Sequence, residues 1–288
     1  MESDNNEIIR ELIKANAEDL YKDAAQPSLR VLGKPLAQCM SLFATPVGRM
    51  AEIFERNIHR YIDKLSDFKE EELVAPDTRI LVPILERMRF TDQEKVAEYY
   101  AEILATASKK EHANKVMVTF IEILNRLTAD EIKIIEYIAS PSNNVLVPDL
   151  TDDELKQSGL PKGTMLLNIT GSLPFLEIRL ETKGKIGFKL IMKNFNCLEE
   201  NVEFDSVDNI SSYIDNMISL GLVIIREDHK FSISKIYNHL EKHEKINVLK
   251  QAAVVNNQEI KLIKGRIDLT DLGRRLLSLC TSKSVSSK

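Results

Sequence analysis

Residues 73–107 read LVAPDTRILVPILERMRFTDQEKVAEYYAEILATA, and this stretch decides the fold of the first half of the chain. Pro76 and Pro83 disfavour helical geometry in the residues before them, so the sequence predicts a rigid, partly extended connector there. Thr91 and Glu94 have the spacing of a capping box, which marks a helix start. Apolar residues then recur every three or four positions, the pattern of an amphipathic helix with one core-facing side. They are Val96, Tyr99, Tyr100, Ile103, Leu104 and Ala107.

Helical patterning extends to both sides of this stretch. A further helix is predicted from about Ala113 to Arg126, and an apolar stripe at three- and four-residue spacing predicts a long helix from 47 to 65. Such a stripe packs against a partner within the chain or in another subunit, and the former is the simpler explanation. As a candidate interaction surface we name Val47, Met50, Phe54, Ile58 and Tyr61.

The pattern changes beyond Gly171. Partial alternation predicts strands at Phe175–Glu181 and Ile186–Met192, with a helix as the alternative for the second run. A helix is predicted at Asp208–Leu220, ended by Gly221. Leu222–Arg226 and Lys230–Ile233 flank a polar turn and predict a hairpin. A helix followed by a hairpin is typical of a winged-helix unit. The predicted fold is therefore mainly α, with a helical domain at 1–127, an α+β winged-helix-like domain at 128–280 and a frayed tail at 281–288.

Charge argues against nucleic acid as the main ligand. The chain has a net charge of -5, and the helix that would read DNA carries Asp208 and Asp215 but no Lys or Arg. Phosphates repel such a helix, so a structural or protein-binding use of the unit is favoured. If DNA binding occurs, the predicted contacts are the basic residues near the carboxyl end: Lys261, Lys264, Arg266, Arg274 and Arg275.

The sequence discloses no catalytic constellation and no cofactor fingerprint. It has no nucleophile elbow, phosphate loop or dinucleotide motif, so a non-enzymatic protein without a small-molecule substrate is the favoured interpretation. His239 and His243 have helical metal-ligand spacing, but no third ligand is evident and a solvated charged helix explains them more simply. No metal site or cofactor is therefore predicted.

Three scattered cysteines indicate reduced thiols, and the acidic amino terminus lacks a secretory signal, so a cytoplasmic protein is expected. The apolar segment 36–47 keeps a membrane-acting role open, because Arg30, Lys34 and Arg49 could meet anionic headgroups. A buried helix is the simpler interpretation of so short a segment.

The chain resembles the Abi-alpha family, a bacterial domain associated with abortive infection. The resemblance rests on LYKDAAQP at 20–27, VLGKPL at 31–36 and EILATAS at 102–108, and continues to GLVIIRED at 221–228 and IDLTDLG at 267–273. It implies a role in defence against bacteriophage and supplies no reaction, cofactor or site residue. The leading hypothesis is thus an effector that binds a protein partner or self-associates, with membrane action and DNA-binding regulation as alternatives.

Overall fold

A computed structural model describes residues 49–66, 68–147, 165–184, 186–226 and 230–281, together with 151, 153 and 156. Two compact units divide the chain. Among the described residues, the first unit holds 49–129 and 278–281, and the second holds 130–277.

The first unit is helical. Its helices are α1 (Arg49–Ser66), α2 (Thr78–Met88), α3 (Glu94–Ala107) and α4 (Val118–Leu124), with 3₁₀ turns at Glu70–Glu72 and Ala113–Lys115. Helix α3 is the centre, because it packs against α1, α2 and α4. The apolar positions of residues 96–107 are all buried, as their helical period predicts.

The predicted extended connector is wrong beyond Pro76. Helix α2 begins at Thr78 and contains Pro83. Asp77 caps it, because its carboxylate accepts the Arg79 N–H at 2.8 Å. Proline inside a helix removes one backbone hydrogen bond. The helix tolerates this because its other face buries a complete apolar stripe: Ile80, Leu81, Ile84, Leu85 and Met88.

The predicted capping box before α3 is also wrong in detail. The Thr91 hydroxyl donates to the Arg87 carbonyl at 2.9 Å, so it completes the end of α2. Gln93 precedes the first turn of α3 and makes no side-chain capping bond there. Its side-chain oxygen instead accepts the Ala129 N–H at 3.1 Å. Thr-x-x-Glu spacing alone could not distinguish the end of one helix from the start of the next.

Buried polar bonds fix α1 within the first unit. Asn57 is fully buried, and its amide donates to the carbonyls of Met88 at 2.8 Å and Thr91 at 2.7 Å. Ser108 donates its hydroxyl to Leu104, so the Tyr61 hydroxyl donates to Ser108 across 2.7 Å. The Asn57 bond to Met88 satisfies a carbonyl that the end of α2 leaves without a helical partner.

The second unit contains both helices and strands, which agrees with the α+β prediction for this part of the chain. Its helices are α5 (Ala129–Ala139, with Ala129 in the first unit), α6 (Ile210–Ser219), α7 (Asn238–Lys242), α8 (Glu244–Val255) and α9 (Asp271–Cys280, entering the first unit from Ser278). Shorter 3₁₀ turns occupy Leu198–Glu200, Val207–Asn209 and Ser234–Tyr237. Strands β1 (Asn144–Val147) and β2 (Met165–Asn168) pair antiparallel as a small sheet.

A four-stranded antiparallel sheet organises the second unit. Its strands are β3 (Ser172–Thr182), β4 (Phe188–Phe195), β5 (Val223–Arg226) and β6 (Gln258–Leu269), in the order β4-β3-β6-β5. The two strands predicted between Phe175 and Met192 are confirmed as parts of β3 and β4. The small sheet was missed, because four-residue strands carry too little alternation to stand out.

The predicted hairpin of Leu222–Arg226 with Lys230–Ile233 is wrong. Residues 230–233 form no strand, and β5 pairs instead with the distant β6, Ile225 opposite Ile267. Buried Ile233 belongs to an apolar core with Ile236, Tyr237 and Leu240. Burial in that core, rather than strand pairing, accounts for the apolar residues after the turn.

The helix end predicted at Gly221 is confirmed. Gly221 has φ of 72°, its N–H donates to Ile218, and the Leu222 N–H donates to Met217. This pair of bonds is the Schellman arrangement, which requires a left-handed residue that glycine adopts without strain. The turn directs the chain from α6 into β5 at the edge of the sheet.

Candidate functional site

A group of metal-binding donor types lies where β4 ends in the second unit. The chain leaves β4 through Asn196 and Cys197, and the 3₁₀ turn Leu198–Glu200 follows. The Asn196 side chain accepts the Leu198 N–H at 3.0 Å and donates to the Asn194 carbonyl at 2.7 Å. These two hydrogen bonds fix the turn and hold Cys197 in the left-handed region, with φ of 56°.

Helix α7 brings His239 to the same place. Its Nε2 lies 2.6 Å from Glu200 Oε2, and the donor atoms of Cys197, Glu200 and His239 all lie within 4.8 Å of one another. The Cys197 side chain is buried, whereas Glu200 and His239 face solvent. We call these three residues the Cys-Glu-His cluster.

His243 supports the cluster from the other side of Glu200. Its Nε2 lies 3.9 Å from Glu200 Oε1, and its Nδ1 accepts the Lys245 N–H at 3.2 Å. The ring packs edge-on against Phe195 with centroids 5.2 Å apart. A neutral imidazole that accepts at Nδ1 carries its proton on Nε2, and this atom faces Glu200 at a distance too long for a hydrogen bond.

The thiol of Cys197 is not an activated nucleophile. Burial, and then the charges of Glu200 and Glu199, raise its pKa to about 12, against the opposing effect of Lys245. The thiolate is the reactive form of cysteine, so a pKa this high leaves almost no nucleophile at neutral pH. This argues against covalent catalysis by the Cys197 thiol.

A cavity of about 430 Å³ adjoins this turn in the second unit. It is lined by Lys133, Glu136, Tyr137, Ser140, Asn201, Val202 and Glu203. Burial, and then the charge of Glu200, raise the pKa of Tyr137. The lining holds polar side chains without a nucleophile paired to a base, so it offers a polar recess beside the cluster and no catalytic dyad.

Sequence reasoning paired His239 with His243 and missed Cys197 and Glu200. These lie about 40 residues upstream, and only the fold brings β4 and α7 together. The short spacing from Cys197 to Glu200 was the one available signal, and it is too common to predict a site.

The predicted interaction surface lies mostly in the core of the first unit. Phe54, Ile58 and Tyr61 are buried, Met50 is half-buried and Val47 lies outside the described residues. Contact with another subunit through this face would require the unit to open. That role stays a prediction, whereas packing within the chain accounts for the apolar stripe.

The basic residues named for DNA contact do not share one free surface. Lys261 pairs with Glu181 at 3.2 Å, and Lys264 pairs with Glu241 at 3.0 Å. Arg266 Nε lies 2.8 Å from Asp268, although its N–H makes no hydrogen bond.

Alternation along β6 places Lys261 on the opposite face from Lys264 and Arg266. The guanidinium of Arg274 lies in the space beside Gly171, and Arg275 follows it on α9. Nucleic-acid binding through these residues stays a prediction.

The fold and cluster define a class: a two-unit protein with a helical unit and a mixed α/β unit around an antiparallel sheet. The family described as Abortive infection alpha matches residues 51–280, most of the chain. The chain therefore belongs to the Abi-alpha family, which confirms the resemblance seen in its sequence.

Similarity to other known proteins is limited. Curated proteins gave no match. A solved structure of an uncharacterized protein from the hydrocarbon-degrading marine bacterium Alcanivorax borkumensis SK2 is similar at 16% identity, covering 61% of this chain and 99% of that chain with a TM-score of 0.30.

None of the described helices is both long enough and apolar enough to cross a membrane. The apolar segment 36–47 lies outside the described residues.

Proposed function

We propose that this protein acts in abortive infection as a non-enzymatic, cytoplasmic effector that binds a protein partner. The observation that supports the defence role is the family match over residues 51–280. Infected cells carrying the protein then fail to support phage production.

The partner-binding part of the proposal rests on exposed apolar side chains at one end of the sheet. Thr182 pairs with Gln258, so the turn from β3 to β4 and the turn from α8 to β6 lie at the same end. Ile186 is fully exposed, Val254 and Val255 are 75% and 86% exposed, and Phe188 is 52% exposed. We call these four residues the apolar end. Concentrations of exposed apolar residues mark interaction sites more often than chance.

The charges next to the apolar end indicate which kind of partner it binds. Residues 182–188 and 254–258 contain two lysines and no acidic residue. A second copy docked through the same surface would place lysine against lysine, which is unfavourable. The occupant we propose is therefore a different protein whose apolar surface is bordered by carboxylates.

We also propose a winged-helix-like architecture for the part of the second unit that contains α6, β5 and β6. Helix α6 leads into β5, and β6 lies between β5 and β3; this order supports a winged-helix-like sheet. Residues 227–257 would replace the wing. Asp215 faces solvent on α6 and pairs with Lys193, so this helix suits protein contact better than phosphate contact.

Phage challenge tests the proposal. Cells with and without the protein are infected with several unrelated phages, and plaques and surviving infected cells are counted. We expect fewer plaques with poor survival of infected cells. Equal plaque numbers across the panel would overturn the defence role.

A double variant, Ile186→Asp with Val255→Asp, tests whether the apolar end is the surface that binds the partner. Both side chains are exposed, so the melting temperature should stay unchanged while protection is lost. Phe90→Asp is the matched control, because Phe90 is an exposed apolar residue of the first unit. If the double variant protects as well as the original protein, the apolar end is not the partner site.

Liposomes and duplex DNA serve as the competing ligands. Cosedimentation with anionic liposomes would favour membrane action through 36–47, and retardation of duplex DNA at low salt would favour the DNA-binding alternative. Either result, combined with intact protection by the double variant, would replace the protein partner.

A further inference from the structure

Cys197, Glu200 and His239 present a thiol, a carboxylate and an imidazole toward one point, with their donor atoms within 4.8 Å of one another. These are the three ligand types that bind zinc in proteins. We propose that the Cys-Glu-His cluster binds one divalent transition-metal ion of the zinc class, with water in the remaining tetrahedral position. The inference is independent of the role in abortive infection.

Only small side-chain movements are needed. Two ligands of a tetrahedral zinc ion bound through nitrogen and oxygen lie about 3.3 Å apart. His239 Nε2 and Glu200 Oε2 lie 2.6 Å apart, so they must separate slightly. Both side chains are on the solvent side and can do so, while buried Cys197 stays fixed by its left-handed turn.

The charged residues around the Cys-Glu-His cluster favour a bound cation. Glu199 and Glu200 both lie near Cys197, and Lys245 pairs with Glu199 at a distance of 3.6 Å. His243 Nε2 lies 3.9 Å from Glu200 Oε1, beyond hydrogen-bond distance. His243 is left out of the donor set, because its Nδ1 already accepts the Lys245 N–H.

Binding of the metal ion releases one proton from the Cys197 thiol. The metal ion replaces the hydrogen of the Cys197 thiol, the S–H electron pair becomes the sulfur–metal bond, and the proton passes to the buffer. No oxidant or reductant takes part. A mixed set with one sulfur ligand favours zinc or cobalt over magnesium and calcium, which take oxygen ligands.

Cobalt spectroscopy on tag-free full-length protein tests the site. Titration with Co²⁺ should produce a thiolate-to-cobalt charge-transfer band that saturates at one equivalent, and Zn²⁺ should remove it. The band should be lost in Cys197→Ser. In His239→Ala, the apparent affinity for Co²⁺ should fall at least tenfold. Glu200→Gln should weaken binding in the same direction.

Matched controls distinguish this site from other thiols and imidazoles. Cys280→Ser changes the other described cysteine, and His112→Ala changes a histidine of the first unit. Both should keep the band and its affinity.

Since His239 is exposed, the corresponding variant should fold, which circular dichroism verifies. The inference is overturned if no charge-transfer band forms. It is equally overturned if His239→Ala and Glu200→Gln bind cobalt as tightly as the original protein.

Discussion

At the scale of single residues, Phe175 lies against a strand position that has no side chain. A Cβ added to Gly265 would fall 2.2 Å from the end of the Phe175 ring. The ring therefore fills the space that a side chain on β6 would need. Glycine weakens a strand interior, and an aromatic ring packed across it restores the lost contact.

Gly265→Ala should lower the free energy of unfolding by about 1–3 kcal/mol, the usual cost of overpacking. The clash depends on the ring, so the same change should cost less in a Phe175→Leu background. Urea unfolding of the four proteins measures the coupling. Equal costs in both backgrounds would contradict the contact.

Asp130 is a buried carboxylate that holds three segments of the second unit together. It accepts hydrogen bonds from the backbone N–H groups of Asp205 and Ser206, from the hydroxyl of Tyr213, and from the Lys133 ammonium at 2.9 Å. Burial alone would raise its pKa, but the bonds from Lys133 and the two N–H groups outweigh burial and lower it.

A lowered folded-state pKa means that the ionised carboxylate stabilises the fold above the ordinary pKa and that this stability is lost as pH falls through the lowered value. Asp130→Asn should therefore be less stable than the original protein at pH 7, by about 1.5–3 kcal/mol for lost charged hydrogen bonds. The difference should shrink as pH falls below the ordinary aspartate value of 3.8.

Urea unfolding across a pH series measures this convergence. Asp208→Asn, an exposed acidic residue on the neighbouring turn, should change stability by less than about 0.5 kcal/mol at any pH. A difference between Asp130→Asn and the original protein that persists unchanged into acid would contradict the argument.

At the scale of elements, Asn57 joins α1 to the end of α2. One amide group satisfies two carbonyls in the core of the first unit. Asn57→Ala should cost about 2–4 kcal/mol, because each unsatisfied buried carbonyl costs about 1–3 kcal/mol. Thermal unfolding of the variant checks this value. Glu55→Ala changes a half-exposed residue of the same helix and should leave the melting temperature nearly unchanged; an equal fall in both variants would remove the bridging role.

Elements differ in how far the sequence predicts them. Helical period identified α3 and α6, and Gly221 marked the end of α6, because these signals lie within a few residues. The partner of β5 could not be predicted, because Ile225 pairs with Ile267 across more than forty positions. The helix around Pro83 was missed because local proline rules outweighed the apolar stripe that buries α2.

At the scale of the whole molecule, the carboxyl-terminal helix serves both units. Residues 271–277 belong to the second unit, and Ser278–Cys280 belong to the first, where the Thr106 hydroxyl donates to Leu279 at 3.3 Å. The buried residues of α9 include Leu276, Leu277 and Leu279.

A chain ending at Thr270 should lose protection from proteolysis in both units. Full burial of each leucine contributes about 1.5–3 kcal/mol, and the total stability of a domain is about 5–15 kcal/mol. Limited proteolysis with mass identification of the fragments measures the loss. A chain ending at 281 is the control and should resist as the full chain does. Protection of either unit in the shorter chain would contradict a dual role for α9.

The candidate site was the least predictable feature. Cys197 looked like a structural cysteine and His239 like a solvated residue, because each is ordinary in its own segment. Their proximity depends on where β4 ends and where α7 packs, which only the assembled sheet determines. The family resemblance, by contrast, was readable from short motifs and their order.

Strand β6 lies between β3 and β5, and it is synthesised after both of them. Until residue 269 has been synthesised, β3 and β5 each present an unpaired edge in the nascent chain. Pairing across such sequence separations is slow and leaves the chain exposed to aggregation. Any activity that depends on the assembled sheet therefore begins only after residue 269 has been synthesised.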